Sequence, residues 1–348
     1  MNRTQSINSA LGPLTFFALA IIGLFYVKWW PYYDRAFVAA AHHAIGQSIL
    51  MRKAASPPAF SWNAAVGYAI AYGDAIWKAL VLGLLLGSAV QALLPANWIA
   101  RVLGRVGLGS ALAGGLIAVP GMMCTCCAAP IVIGLREREA SPGGAIAFWL
   151  GNSVLNPATL IFMGFVLGWN WVGLRLALGL LMVFGLGYLV NRMTGAREER
   201  AASPIESTVS NDSTGPFARW LRILARMSIL LVPEYAMLVL LLGATRAWLF
   251  PHMGPEIGNG IGWILAFALA GTLFVIPTAG EVPIVQAMLA LGVGGGPAGA
   301  LLMTLAPISL PSLAMVAPSF RARILITITT AVVAFGIVGG LLAVRLQL

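Results

Sequence analysis

Charge is what this sequence has least of: Asp, Glu, Lys and Arg make up 9% of its 348 residues, against roughly 25% in an ordinary soluble domain. With 59% hydrophobic residues and a mean hydropathy of +0.90, it has too little polar surface for a soluble globular fold. Histidine is scarce too, and His42, His43 and His252 all fall in connections, so a histidine metal site is not expected. Cysteine is limited to Cys124, Cys126 and Cys127. Two of these are adjacent, which excludes the dispersed, even-numbered framework of a disulfide-stapled domain and points to reduced thiols. There is no Walker "GxxxxGK[ST]", which sets aside ATP-driven transport by this chain alone, and no βαβ context for a thioredoxin-like role. Neither a cofactor nor an enzymatic activity is expected.

What the sequence does have is apolar length. Several runs exceed the ~20 residues needed to cross about 30 Å of hydrocarbon, where only a backbone that satisfies its own hydrogen bonds is stable. The expected class is therefore an all-α polytopic membrane protein with the lipid bilayer as its first partner. The net charge of +10 does not argue for nucleic acid, since the Arg residues are spread through the connections between spans, as positive-inside topology requires. A multi-pass protein of the bacterial inner (cytoplasmic) membrane is the expected location.

About nine membrane segments are expected. Residues 11–30 lack a cleavage site and read as a retained anchor, so 1–73 is an N-terminal anchor with an interfacial stretch. Residues 74–193 hold a first membrane repeat and 217–348 a second. Between them 194–216, "TGAREERAASPIESTVSNDSTGP", reads as a disordered cytoplasmic linker. The repeat rests on three alignments: "VLGLLLGSAVQALLP" (81–95) with "MLVLLLGATRAWLFP" (237–251), "CTCCAAPIVI" (124–133) with "PTAGEVPIVQ" (277–286), and "NPATL" (156–160) with "LPSLA" (310–314). Their offsets are 156, 153 and 154 residues. Internal duplication in a helical membrane protein points to a transporter whose site lies where the repeats meet. The Pro-punctuated polar stretches near 124–127, 156–157, 277–281 and 307–311 predict broken helices around one central site. Straight crossings of all segments give parallel repeats, whereas folding the Cys-bearing and Glu-bearing segments back as re-entrant hairpins gives inverted ones; charge does not separate the two, and segment length favours broken helices that cross fully.

Three residue groups could carry chemistry. "CTCC" can turn two or three thiols to one cavity, and thiolates select soft, thiophilic species such as Cu(I) or trivalent arsenic. The alternative is that these cysteines pack as small hydrophobes. Asn152 and Asn156 share a helical face, where they meet either a ligand or a neighbouring helix. Thr278, Glu281 and Gln286 surround Pro283, and an intramembrane carboxylate is a functional candidate by default, with Glu234 as a secondary one.

The stretches "CTCCAAPIVIGLREREASPGGAIAFWLGNSVLNPATL" (124–160) and "PTAGEVPIVQAMLALGVGGGPAGALLMTLAPISLPSL" (277–313) resemble the bacterial permeases of the ArsP/YraQ type, over roughly 74–344. Characterised members of that family export trivalent organoarsenicals, so the resemblance implies efflux and arsenical resistance, with Cys124 and Cys126 matching the family's paired cysteines and Pro130 its proline. Cys127 stands where relatives commonly have Gly, which opens the way to another soft cargo. The expected function is a secondary membrane transporter exporting a small thiophilic species. Cys124, Cys126, Cys127, Asn152, Asn156, Thr278 and Gln286 would bind the substrate, with Glu281 in proton coupling and no resident metal. A permease for a sulfur compound or small anion, or a non-transport membrane scaffold for a thiol enzyme, is the alternative. A homo-oligomer is left open.

Overall fold

The structure is a computed structural model and describes residues 3–46, 49, 61–194, 215–249 and 253–348. The expected linker therefore lies almost wholly outside the described residues, as does His252. Helices account for the architecture and no strand occurs among the described residues, so the chain is an all-α polytopic membrane protein.

An N-terminal pair, α1 (Arg3–Leu24) and α2 (Trp30–His42), is joined by a π-helical turn, Phe25–Trp29. Then follow α3 (Trp62–Leu93), α4 (Ala96–Leu103), α5 (Leu108–Ala118), α6 (Thr125–Glu137), α7 (Pro142–Val154), α8 (Pro157–Val166) and α9 (Trp169–Met193). The second half holds α10 (Pro216–Leu249), α11 (Ile261–Leu273), α12 (Glu281–Ala290), α13 (Gly295–Thr304), α14 (Leu310–Val316) and α15 (Ala322–Arg345). The halves match in order: a long helix, two half-helices, a helix broken in two, and a final long helix. The first of these helices begins at Trp62, upstream of the boundary expected at residue 74.

Close glycine contacts fix the directions. A Cβ at Gly83 would collide with the Cys127 carbonyl, and one at Gly87 with that of Pro130, so α3 and α6 run parallel with their backbones touching. Gly114 meets Gly144 and Gly151 meets Ala118, which makes α5 parallel to α7. Because α6 reaches α7 through a tight connection and reverses, α5 and α6 run in opposite senses: they form a re-entrant hairpin. The second half repeats this, with Gly271 against Thr304 and Gly296 against Ile264 setting α11 parallel to α13. The long helices α3 and α10 are antiparallel, since Trp220 Nε1 donates to Ser88 Oγ at 2.9 Å while Gly243 lies against Tyr68. The two repeats are therefore inverted, each sending one hairpin into the bundle from its own end.

The hairpins differ from the expectation that the Cys-bearing and Glu-bearing segments cross fully. Among the described residues six helices are long and apolar enough to span, the broken α7–α8 helix among them, and the α4–α5 pair that could make a seventh is bent by 110°. The run 108–135 is long enough to cross once, but Val119–Gly121 winds into a 3-10 turn around Pro120 and Met122 then adopts φ 49°, which turns the chain back. At the second tip Pro277 is followed by Ala279 at φ 65°. A left-handed non-glycine residue at each tip is a strain that surrounding packing must hold. The non-helical backbone of the tips is tolerated at membrane depth because it packs largely within protein, while α5 and α11 turn apolar residues such as Leu116 and Leu269 outward.

Among the described residues, one end of the bundle, where α9 stops and α10 starts, is rich in arginine: Arg101, Arg105, Arg136, Arg138, Arg192, Arg219, Arg321 and Arg323 lie there, against Arg35, Arg246 and Arg345 at the other. Arg138 and Arg219 donate to the Gln91 and Ala92 carbonyls, placing two cations on the negative C-terminal end of α3.

Candidate functional site

The two hairpin tips, 119–124 and 274–280, meet the α7–α8 and α13–α14 breaks at a narrow cleft. Cys124 and Thr125 line it from the first tip, Thr278 and Glu281 from the second, Ser153 from the α7–α8 break and Ser309 from the α13–α14 break. The four breaks expected from the sequence thus converge on one place.

The cysteines form a compact trio. Cys124 caps α6 and its Sγ is 3.0 Å from both Cys126 Sγ and Cys127 Sγ, and all three are free thiols. They do not face the cleft equally. Cys124 lines it, whereas Cys126 and Cys127 are fully buried behind it in the first turn of α6, where a helical rather than extended backbone places them. Cys126 Sγ lies 3.4 Å from the Tyr72 hydroxyl, itself 2.6 Å from that of Tyr235, so α3 and α10 back the trio from behind. Trp149 Nε1 donates to the Thr125 carbonyl at 2.9 Å and steadies the start of α6.

Glu281 opens α12 and is buried. Its carboxylate takes a 2.9 Å ion pair from Arg175, a fully buried residue of α9. The same guanidinium donates to the carbonyls of Ser153 and Val154 at the end of α7 and of Leu302 in α13, at 3.0, 3.3 and 3.0 Å. One side chain therefore ties both broken helices to the second hairpin tip.

The remaining expected site residues fall elsewhere. Asn156 is the N-cap of α8, its Oδ1 accepting from the amides of Ala158 and Thr159. Asn152 donates to the Phe148 carbonyl, and its Oδ1 sits against Gly121 in the first tip. Gln286 lies outside the cleft and donates to the His43 carbonyl at 2.9 Å. Glu234 is exposed on α10.

Two charged residues at the site escaped sequence reasoning. Arg175 stands alone in "WVGLRLALGL", and Lys28, within the stretch 11–30 that reads as an anchor, is buried and donates to Thr278 Oγ1 at 3.0 Å. The default that singled out Glu281, that an intramembrane charge marks function, applies equally to both.

Inverted repeats with hairpin tips meeting at a buried polar cleft define a polytopic membrane protein built as transporters are. The comparisons make this specific: residues 75–344 match the model of the ArsP-type family described as a predicted permease. The chain is also 50% identical over 331 residues to the UPF0718 protein YraQ of Escherichia coli (strain K12), covering 94% of each. The chain belongs to this ArsP/YraQ permease family, whose description is that of a membrane transporter. No solved structure matches it.

Proposed function

We propose that the chain is a secondary transporter of the bacterial inner membrane that exports a small thiophilic species, with trivalent methylated arsenicals as the first cargo to test. The observation that carries this reading is the thiol trio hinged on Cys124 at the wall of the cleft. Soft sulfur ligands favour soft centres, and a monomethylated trivalent arsenic, with two displaceable hydroxyl groups, takes up to two of them. Each As–S bond forms as a thiol displaces a hydroxyl group on arsenic, which leaves as water with the thiol proton. Cys124 meets the cargo first, and Cys126 and Cys127 stand ready to exchange with it. Inverted repeats supply alternating access by rocking one half against the other around this site.

The arginine-rich end is cytoplasmic under the positive-inside rule, which puts the 194–216 linker inside the cell. Coupling is assigned to Glu281: when the tips part, its carboxylate leaves Arg175 and can take a proton, so that export draws on the proton gradient. The test is resistance to methylarsonous acid in bacterial cells stripped of their own arsenical efflux. Wild type should protect; Cys124→Ser should not, at equal membrane abundance. Full protection by a variant with all three cysteines changed to Ser would sink the thiol reading in favour of simple packing.

A further inference from the structure

The N-terminal helix does more than cross the lipid. Between α1 and α2 the π-helical turn Phe25–Trp29 interrupts the regular winding, and such turns occur mostly where function re-aims a side chain. Trp29 Nε1 donates to the Pro120 carbonyl at 2.8 Å, in the first hairpin tip. Lys28 Nζ donates to Thr278 Oγ1 at 3.0 Å, in the second, and to the Tyr32 hydroxyl at 3.3 Å. One turn therefore touches both tips, and it lies outside the stretch 75–344 that matches the permease family.

Lys28 is 4% exposed and within electrostatic reach of Cys124 and Cys127. No carboxylate pairs with it among the described residues, because the buried one nearby, Glu281, is held by Arg175. Lys28 and Arg175 against Glu281 leave one positive charge in excess around the cleft while the thiols are neutral. A buried charge without a counter-charge is expensive. The helix ends add to the same sign: α6 and α12 begin here, and neither Cys124 nor Gly280 caps its helix through a side chain. Thr278 Oγ1 already accepts from the ammonium, so its own proton is free to be donated into the cleft it lines.

We infer that Lys28 is a cargo-binding residue and that the species filling the cleft is a small anion bearing a soft sulfur or arsenic atom. The soft atom meets Cys124 while the charged oxygens take hydrogen bonds from Lys28 and Thr278. This rests on the cleft being the transport site and adds soft anions to the neutral arsenicals proposed above as its cargo.

The test is ligand-induced thermal stabilisation of the purified full-length protein in detergent. Three probes separate the chemistry: thiosulfate, soft and charged; sulfate, hard and charged; and methylarsonous acid, soft and neutral. Thiosulfate should stabilise wild type more than sulfate. Lys28→Met should weaken the thiosulfate response about tenfold or more, the worth of one charge-assisted hydrogen bond, and Lys28→Arg should restore most of it. Without ligand, Lys28→Met should melt at or above the wild-type temperature, because it loses an unmatched charge. An undiminished thiosulfate response in Lys28→Met overturns the inference. So does a sharp fall in its ligand-free melting temperature, which would make Lys28 a structural tie. A wild-type response to methylarsonous acid alone, lost in Cys124→Ser, would refute the anionic cargo and leave the thiol site standing.

Discussion

The Arg175–Glu281 pair offers the sharpest test of how the bundle centre is held. Changing Glu281 to Gln keeps the shape of the side chain and removes its charge, leaving the Arg175 guanidinium buried among three helix-end carbonyls with no counter-ion. Removing one partner of a buried pair costs about 3 to 5 kcal/mol. With an unfolding entropy of about 2.1 cal/mol/K per residue, that loss lowers the melting temperature of a chain this long by roughly 4 to 7 °C. Arg175→Met should cost a similar amount, because it strands the carboxylate. The double variant should be no less stable than the worse single one, since neither charge is then left alone. Thermal unfolding of the four proteins in one detergent closes the cycle. Strictly additive losses, or a Glu281→Gln protein that melts within a degree of wild type, would refute the pairing as the element that holds the second tip.

Further outcomes follow from the same geometry. Cysteine placed at Ser207 in a cysteine-free background should resist impermeant thiol reagents in intact cells; ready labelling from outside would reverse the topology. Gly87→Val should sharply reduce membrane abundance, because its side chain collides with the Pro130 carbonyl where α3 and α6 touch, whereas the same change at Gly185, which has open space, should be tolerated. Asn156→Ala should cost about 1 kcal/mol as the loss of an N-cap, without changing which cargo is selected. In vesicles Glu281→Gln should lose export driven by a pH gradient while cargo exchange persists; gradient-driven export at the wild-type rate would remove Glu281 from coupling.

Much of the architecture was legible because membrane helices announce themselves by length and apolarity, and because the duplicated Pro-centred motifs survive in both halves. The four breaks could be placed for the same reason: Pro120, Pro157, Pro277 and Pro311 cannot continue a helix in regular fashion. The reversal at each tip was not legible. It depends on a single left-handed residue, Met122 or Ala279, and neither type signals that conformation as glycine would. The run 108–135 has the same composition whether it crosses or folds back, so counting residues overestimated the crossings. Within the site, Cys124, Thr278 and Glu281 were found from residue type alone, while Gln286 was misplaced: its spacing along the chain could not show which face of α12 looks outward to His43. Asn156 was found for its position, but its Oδ1 is occupied in starting α8, and only its buried Nδ2 is left without a partner. Arg175 and Lys28 are single charges in apolar runs with no partner in sequence, and only the tertiary fold carries them to the cleft.

The central claim, that this permease moves a thiophilic cargo through the cleft between its hairpin tips by way of Cys124, is tested most directly by flux. Purified protein reconstituted into sealed vesicles should carry methylarsonous acid across the bilayer with saturable kinetics, and Cys124→Ser, equally well folded and inserted, should reduce that flux to the protein-free leak. Flux through Cys124→Ser at the wild-type rate would contradict the account.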